Sequence, residues 1–176
     1  MGSDSLFFII IAICLIMSAY FSATETAFLS LNRIRMKNMA EKGDKRAELV
    51  LKLLENFDKL LSTILVGNNI VNNVATTIGA VLFIRLLDDV RGPTVSAIVL
   101  TVVILIFGEV SPKSLAKEHA ESFAMFSAPI LRVFLLVLRP LNFLFSQWKR
   151  LLNMIFHPSE DPVSYTHLTL PTILLV

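Results

Sequence analysis

The chain has 176 residues, 55% of them hydrophobic and only 17% charged, with a mean hydropathy of +0.70. Soluble domains carry about 25% charged residues, so this composition excludes an ordinary water-soluble fold and points to lipid as the solvent. The net charge of +2 takes its meaning from where the charges fall, and a single cysteine, Cys14, excludes an intrachain disulfide and suggests no redox or zinc site.

In chain order, three stretches lack charge altogether: residues 6–24, 60–84 and 92–108. A helix rising about 1.5 Å per residue needs roughly 20 apolar residues to cross about 30 Å of hydrocarbon. The first two stretches meet that length, and the third meets it if its helix runs past Glu109. The predicted fold is an all-α membrane protein with three transmembrane helices plus interfacial amphipathic and juxtamembrane helices. A cleaved signal peptide is the rival reading of the first stretch, since Ser18-Ala19-Tyr20 loosely resembles a cleavage region. It fits poorly, because the leading Met1-Gly2-Ser3-Asp4-Ser5 carries only an acid where a positive region is expected.

Between the first two stretches lies a basic, polar segment with Arg33, Arg35, Lys37, Lys42, Lys45, Arg46, Lys52 and Lys59. Between the second and third stands only Asp88-Asp89-Val90-Arg91, with Arg85 just before it. Lys and Arg accumulate on the cytoplasmic side, so residues 33–59 are expected inside and 88–91 outside. The N-terminus is then outside and everything after the third span cytosolic, in a multi-pass protein of the plasma membrane. Within the basic segment, Leu49, Leu53 and Phe57, with Leu54 and Leu61 beside them, recur at helical spacing opposite Lys52, Glu55 and Lys59. This predicts an amphipathic helix after a break at Gly43-Asp44, lying on the membrane or serving as a solvated linker.

Residues 122–156 are apolar but interrupted by Pro129, Arg132, Arg139 and Pro140. An interior proline costs a helix about 3 kcal/mol and mid-bilayer arginine is expensive, so a kinked pair of interfacial helices is expected rather than a fourth span. Trp148 would anchor it, with Lys149-Arg150 facing anionic headgroups. Residues 1–157 are read as one membrane domain and 158–176 as a tail. The string Val163-Ser164-Tyr165-Thr166-His167-Leu168 onward resembles the conceptual translation of a sequencing adaptor. Residues 163–176 are therefore expected to be non-native read-through, the alternative being a genuine disordered or weakly extended tail.

Three polar clusters interrupt the apolar spans, and buried polar groups without partners cost several kcal/mol. Ser18 and Ser22 share a helix face, with Glu25 one turn on. Helix packing or back-bonding to the i−4 carbonyl would explain the two serines alone. Gly67-Asn68-Asn69-Ile70-Val71-Asn72-Asn73 puts Asn68 and Asn72 in one row, continued by Thr76, and Asn69 and Asn73 in the next. Four amides exceed what helix–helix hydrogen bonding requires, so a polar site or pathway is expected. In Gly108-Glu109-Val110-Ser111-Pro112-Lys113, Pro112 cannot join the backbone ladder and should free carbonyls near Gly108. Interrupted membrane helices expose carbonyls where they line a cavity or bind an ion. Glu109 is the charge expected there, unless it merely reaches the interface.

Together these clusters offer hydroxyl, amide, carbonyl and carboxylate oxygens, without His or Cys. Hard cations take such oxygens, whereas zinc or copper favours imidazole and thiolate. Magnesium dehydrates reluctantly, and sodium would use the same neutral oxygens, so the residues alone leave the two open.

Phe21-Ser22-Ala23-Thr24-Glu25-Thr26-Ala27, Gly67-Asn68 with Asn72, and Phe107-Gly108-Glu109-Val110-Ser111-Pro112-Lys113 resemble the signatures of the CorC/CNNM magnesium transporter membrane domain. The resemblance covers residues 6–157, in order. It implies a transporter domain, a homodimer of three-span protomers exporting magnesium (Mg²⁺), with sodium (Na⁺) as the coupling ion. It also implies cytosolic nucleotide-binding domains beyond this sequence. By motif, Ser18 and Ser22 would supply hydroxyls, Asn68 and Asn72 amide oxygens, and Gly108 and Glu109 the oxygens of the interrupted helix. The expected partners are the bilayer and a second copy of the chain, with no nucleic acid. Two rival functions are a membrane anchor or scaffold for missing cytosolic domains and a cation channel. An intramembrane enzyme is not expected, because no His pair or Ser/Lys constellation lies within the spans.

Overall fold

The computed structural model describes residues 2–140, 143, 147–148 and 151–152. The tail from 158 onward and Lys149-Arg150 lie outside the described residues. Among the described residues all regular structure is helical, without strands. A separate unit begins at Phe143; its described residues are helical, and Trp148 is exposed in it.

The first charge-free stretch forms α1 (Gly2–Ser30), whose 29 residues span about 43 Å at 1.5 Å per residue. Leu6, Phe8, Ile9, Ile13 and Ile16 are exposed along its N-terminal half, whereas Cys14, Ser18, Phe21, Ser22 and Thr24 are buried. The face turned inward is thus the more polar one, the reverse of a soluble helix and the arrangement lipid favours. Two short helices follow, α2 (Arg33–Glu41) and α3 (Lys45–Leu54). Asn32 caps the first by accepting from Arg35 N, and Asp44 caps the second by accepting from Arg46 N and Ala47 N. The break falls at Gly43, whose φ of +93° lies where side-chain-bearing residues are strained.

The predicted amphipathic helix ends at Leu54, and Phe57 opens the next element instead. Its inner residues Ala47, Val50 and Leu54 are buried within a protein core that includes Ala128 and Leu131. That face packs on protein rather than lying only on lipid or in solvent.

The second span is α4 (Phe57–Leu86), 30 residues, and Asp88 closes the hairpin after it by accepting from Val90 N and Arg91 N. Three consecutive elements then form one rod over residues 92–118: α5 (Gly92–Val103), a π-helical segment (Ile104–Val110) and α6 (Ser111–Glu118). The interruption expected at Pro112 is a widening, not a gap. Ser111 N reaches back five residues to Ile106 O, and the extra residue in the turn relieves the clash that the proline ring would have with the Gly108 carbonyl.

The last helix, α7 (Ala120–Val137), differs from expectation. Pro129 lies inside a single 18-residue helix, and the break comes at Leu138, just before Arg139-Pro140. The helix survives its proline because Ala120, Ala124, Ser127, Ala128 and Leu131 form a continuous buried face, and most helical stability comes from such packing. Among the described residues, four helices rather than three are therefore long and apolar enough to cross a membrane: 4–30, 57–86, 92–118 and 120–137. The chain is a multi-pass helical membrane protein.

Candidate functional site

α1 is the central element, packed on α4, α6, α7 and the π segment. Glycine sets how closely its neighbours approach. A Cβ on Gly67 of α4 would lie 2.5 Å from the Phe21 ring, which is itself buried and in edge contact with Tyr20 and Phe134. A Cβ on Gly108 would lie 2.8 Å from Ser18 Oγ. Both glycines thus permit backbone approaches that any side chain would block.

The approach at Gly67 brings the next residue to α1. Ser18 Oγ, fully buried, donates to Asn68 Oδ1 at 3.1 Å. One turn along α4, Asn72 Nδ2 donates to Glu109 Oε1 at 3.4 Å, tying α4 to the π segment. Because the amide nitrogen is turned to the carboxylate, Asn72 Oδ1 points elsewhere; it is buried and accepts no hydrogen bond among the described residues. Ser22 Oγ, one turn from Ser18, is likewise buried without a partner. Unmatched buried oxygens are uncommon in native folds and cost about 1–3 kcal/mol each. Here Ser22 Oγ and Asn72 Oδ1 both retain acceptor capacity that no group among the described residues uses. Ser18 itself, though donating to Asn68, keeps its oxygen lone pairs.

The structure therefore brings Ser18, Asn68 and Gly108 together, joins Asn72 to Glu109 beside them, and places Ser22 on the same face of α1. The second amide row behaves differently. Asn69 and Asn73 are exposed, and Thr76, although in the Asn68 row, is exposed and donates back to Asn72 O and Asn73 O. Only half of the expected amide cluster faces the site.

One feature escaped the sequence. Lys113 Nζ lies 3.2 Å from Glu25 Oε2, one turn beyond Glu109 on the rod and one turn beyond Ser22 on α1. The two residues belong to distant motifs, and nothing in either foretells the pairing. It neutralises the second carboxylate of the region, leaving Glu109 as the site's uncompensated charge. No cluster of three or more His, Cys, Asp or Glu occurs among the described residues, so the donor set is neutral oxygen plus a single carboxylate. That set suits a hard cation.

The family model for the cyclin M (CNNM) transmembrane N-terminal domain matches residues 9–169. The chain belongs to the CNNM family. It is 44% identical over 151 residues to a UPF0053 protein of Haemophilus influenzae, covering 86% of this chain and 36% of the relative. It is 39% identical over 146 residues to the UPF0053 inner membrane protein YfjD of Escherichia coli, covering 83% and 34%. A chloroplastic DUF21 domain-containing protein of Arabidopsis thaliana is 28% identical over 167 residues, covering 94% and 22%. This CNNM domain thus spans about a third of the length of the two bacterial relatives, and the site lies wholly within the matched region.

Proposed function

We propose that this CNNM domain carries Mg²⁺ out across the plasma membrane, coupled to Na⁺, through the oxygen-lined site between α1, α4 and the π segment. The observation that carries the reading is the convergence of Ser18, Asn68, Gly108, Asn72 and Glu109, with Ser22 Oγ and Asn72 Oδ1 buried and unmatched. A single carboxylate does not neutralise a divalent ion, so the site binds modestly and lets its ion go. The test is the Mg²⁺ content of cells overexpressing the full-length protein. It should fall below that of control cells and recover with Glu109→Ala. If the domain is instead an anchor for the remaining two thirds of such proteins, the polar clusters serve packing, and Glu109→Ala would alter stability while leaving Mg²⁺ content unchanged.

A three-span topology accords with the position of α7. Near its start, Glu121 lies 3.8 Å from Arg35; near its end Leu135 lines the same groove as Lys52 and Lys59, and Arg139, just past the helix, lines a groove with Lys59. Groups near both ends of α7 meet the basic segment 33–59, which supports a helix laid across one side of the bundle over a fourth crossing. With that segment cytosolic, the N-terminus is outside. In a Cys14→Ala background, Lys42→Cys should resist an impermeant thiol reagent applied to intact cells and Asp89→Cys should react; the opposite pattern overturns the topology.

The exposed pair Asn69 and Asn73 supports a homodimer, since lipid offers amides no partner and a second copy would. Within the site, Ser22→Ala removes one oxygen of about six in an octahedral shell. It should weaken Mg²⁺ binding in detergent by roughly tenfold, about one hydrogen bond to a charged group, with the melting temperature unchanged or raised. A fall in melting temperature with binding intact would make Ser22 a packing residue.

A further inference from the structure

A basic groove runs between α3, the first turn of α4 and the second half of α7 with the residues just after it. It has two lobes of about 410 and 430 Å³ with a smaller one of about 130 Å³ that shares lining residues with each. The lobes are neighbours that share lining residues: Arg132 lines both large ones, Lys52 and Leu53 the first large and the small one, and Lys59 and Leu135 the small and the second large one. Lys45, Lys52 and Lys59 follow one another at intervals of seven along one wall, and Arg132 and Arg139 do the same along the other. All five are exposed, and none takes part in a salt bridge among the described residues. Glu48 is the one carboxylate among the lining residues.

The floor is apolar, formed by Leu49, Leu53, Leu60 and Leu135. At one end the groove opens beside Val133 and Leu136, 59% and 67% exposed. Five cations over a leucine floor, leading onto an apolar face, match an amphiphile with an anionic head. Lys59 also stands immediately before the charge-free stretch 60–84, which puts the cations at headgroup level. An acidic peptide would satisfy the cations but leave Val133 and Leu136 bare. We infer that this groove is a binding site for an anionic phospholipid, its phosphodiester held by Lys52, Lys59 and Arg132 and its acyl chains laid along Val133 and Leu136. Basic pockets of this kind at the membrane surface hold anionic headgroups.

The experiment is native mass spectrometry of the purified chain titrated with phosphatidylglycerol, against phosphatidylcholine and inorganic phosphate. The chain should bind phosphatidylglycerol saturably, with phosphatidylcholine and phosphate each far weaker. Lys52→Gln with Arg132→Gln should lower the apparent affinity for phosphatidylglycerol by roughly 25-fold, about fivefold for each basic residue removed from an anionic surface. Lys52→Arg with Arg132→Lys should keep it, which separates loss of charge from loss of fold. Lys37→Gln with Lys42→Gln, which removes equal charge from outside the groove, should also keep it. Equal binding of the two lipids, unchanged affinity in the glutamine pair, or an equal loss in the Lys37/Lys42 pair would overturn the assignment. So would a hexaglutamate peptide that binds the groove when phosphatidylglycerol does not.

Discussion

Gly108→Ala should abolish measurable Mg²⁺ binding, a loss of about a hundredfold or more, in a chain that still folds. The added methyl group would lie 2.8 Å from Ser18 Oγ and 3.3 Å from Ser18 Cβ. Overpacking of this kind costs about 1–3 kcal/mol. α1 has little room to retreat, because Phe21 one turn away is pinned against Gly67. The cheapest response is rotation of Ser18 away from Asn68, which removes two of the oxygens a cation would meet. Gly79→Ala is the control: its methyl group meets the side chains of Leu100 and Ser96 instead of Ser18. It should lower the melting temperature at least as much while leaving Mg²⁺ binding nearly intact. Thermal stabilisation by added Mg²⁺, compared across the two variants, is the measurement. If both variants lose it equally, the Gly108 contact is ordinary packing.

Glu109→Gln should cost Mg²⁺ about a hundredfold in affinity and Na⁺ about tenfold or less. The amide preserves shape and can still meet Asn72 across the 3.4 Å contact, so what changes is charge. Coulomb attraction to one carboxylate scales with the charge of the ion, so a divalent ion loses twice what a monovalent ion loses at the same distance. A factor of ten in affinity for the one then becomes about a hundred for the other, each factor of ten being about 1.4 kcal/mol. Glu25 offers no substitute while Lys113 neutralises it. Calorimetric titration in detergent with each ion gives the two ratios, and equal losses would mean that Glu109 acts structurally.

Much of the fold follows from the absence of charge. The three uncharged stretches each lie within one helix or rod, α1, α4 and 92–118, the first and third running several residues further at their C-terminal ends, because lipid leaves an apolar backbone little choice but to close its hydrogen bonds within a helix. The sequence was less informative where protein replaced lipid as the neighbour. Pro129 and Arg132 argued against one long helix over 120–137, yet a buried row of small residues holds it together. That row gains its value from packing on α1 and α3, which local pattern does not contain. Pro112 correctly marked a perturbed backbone, but whether a helix breaks or widens at a proline depends on the neighbour held at Gly108.

The site was legible to the extent that its residues face inward by helical period. Ser18 with Ser22, and Asn68 with Asn72, share faces through i, i+4 spacing alone. The period cannot choose between adjacent rows, so Asn69 and Asn73 looked equivalent to Asn68 and Asn72 until the contact of Gly67 with Phe21 fixed which row turns to α1. The pairing of Glu25 with Lys113 was illegible for the same reason, since it depends on the relative height of two helices.

The most direct test is to locate the ion. Mn²⁺ takes the same oxygen ligands as Mg²⁺ and gives an anomalous X-ray signal. Crystals of the domain soaked in Mn²⁺ should show a peak enclosed by Ser18, Asn68, Asn72 and the Gly108-Glu109 turn, diminished by competing Mg²⁺. A peak elsewhere, or a structure in which the Ser18/Ser22 face of α1 points into lipid, would contradict it.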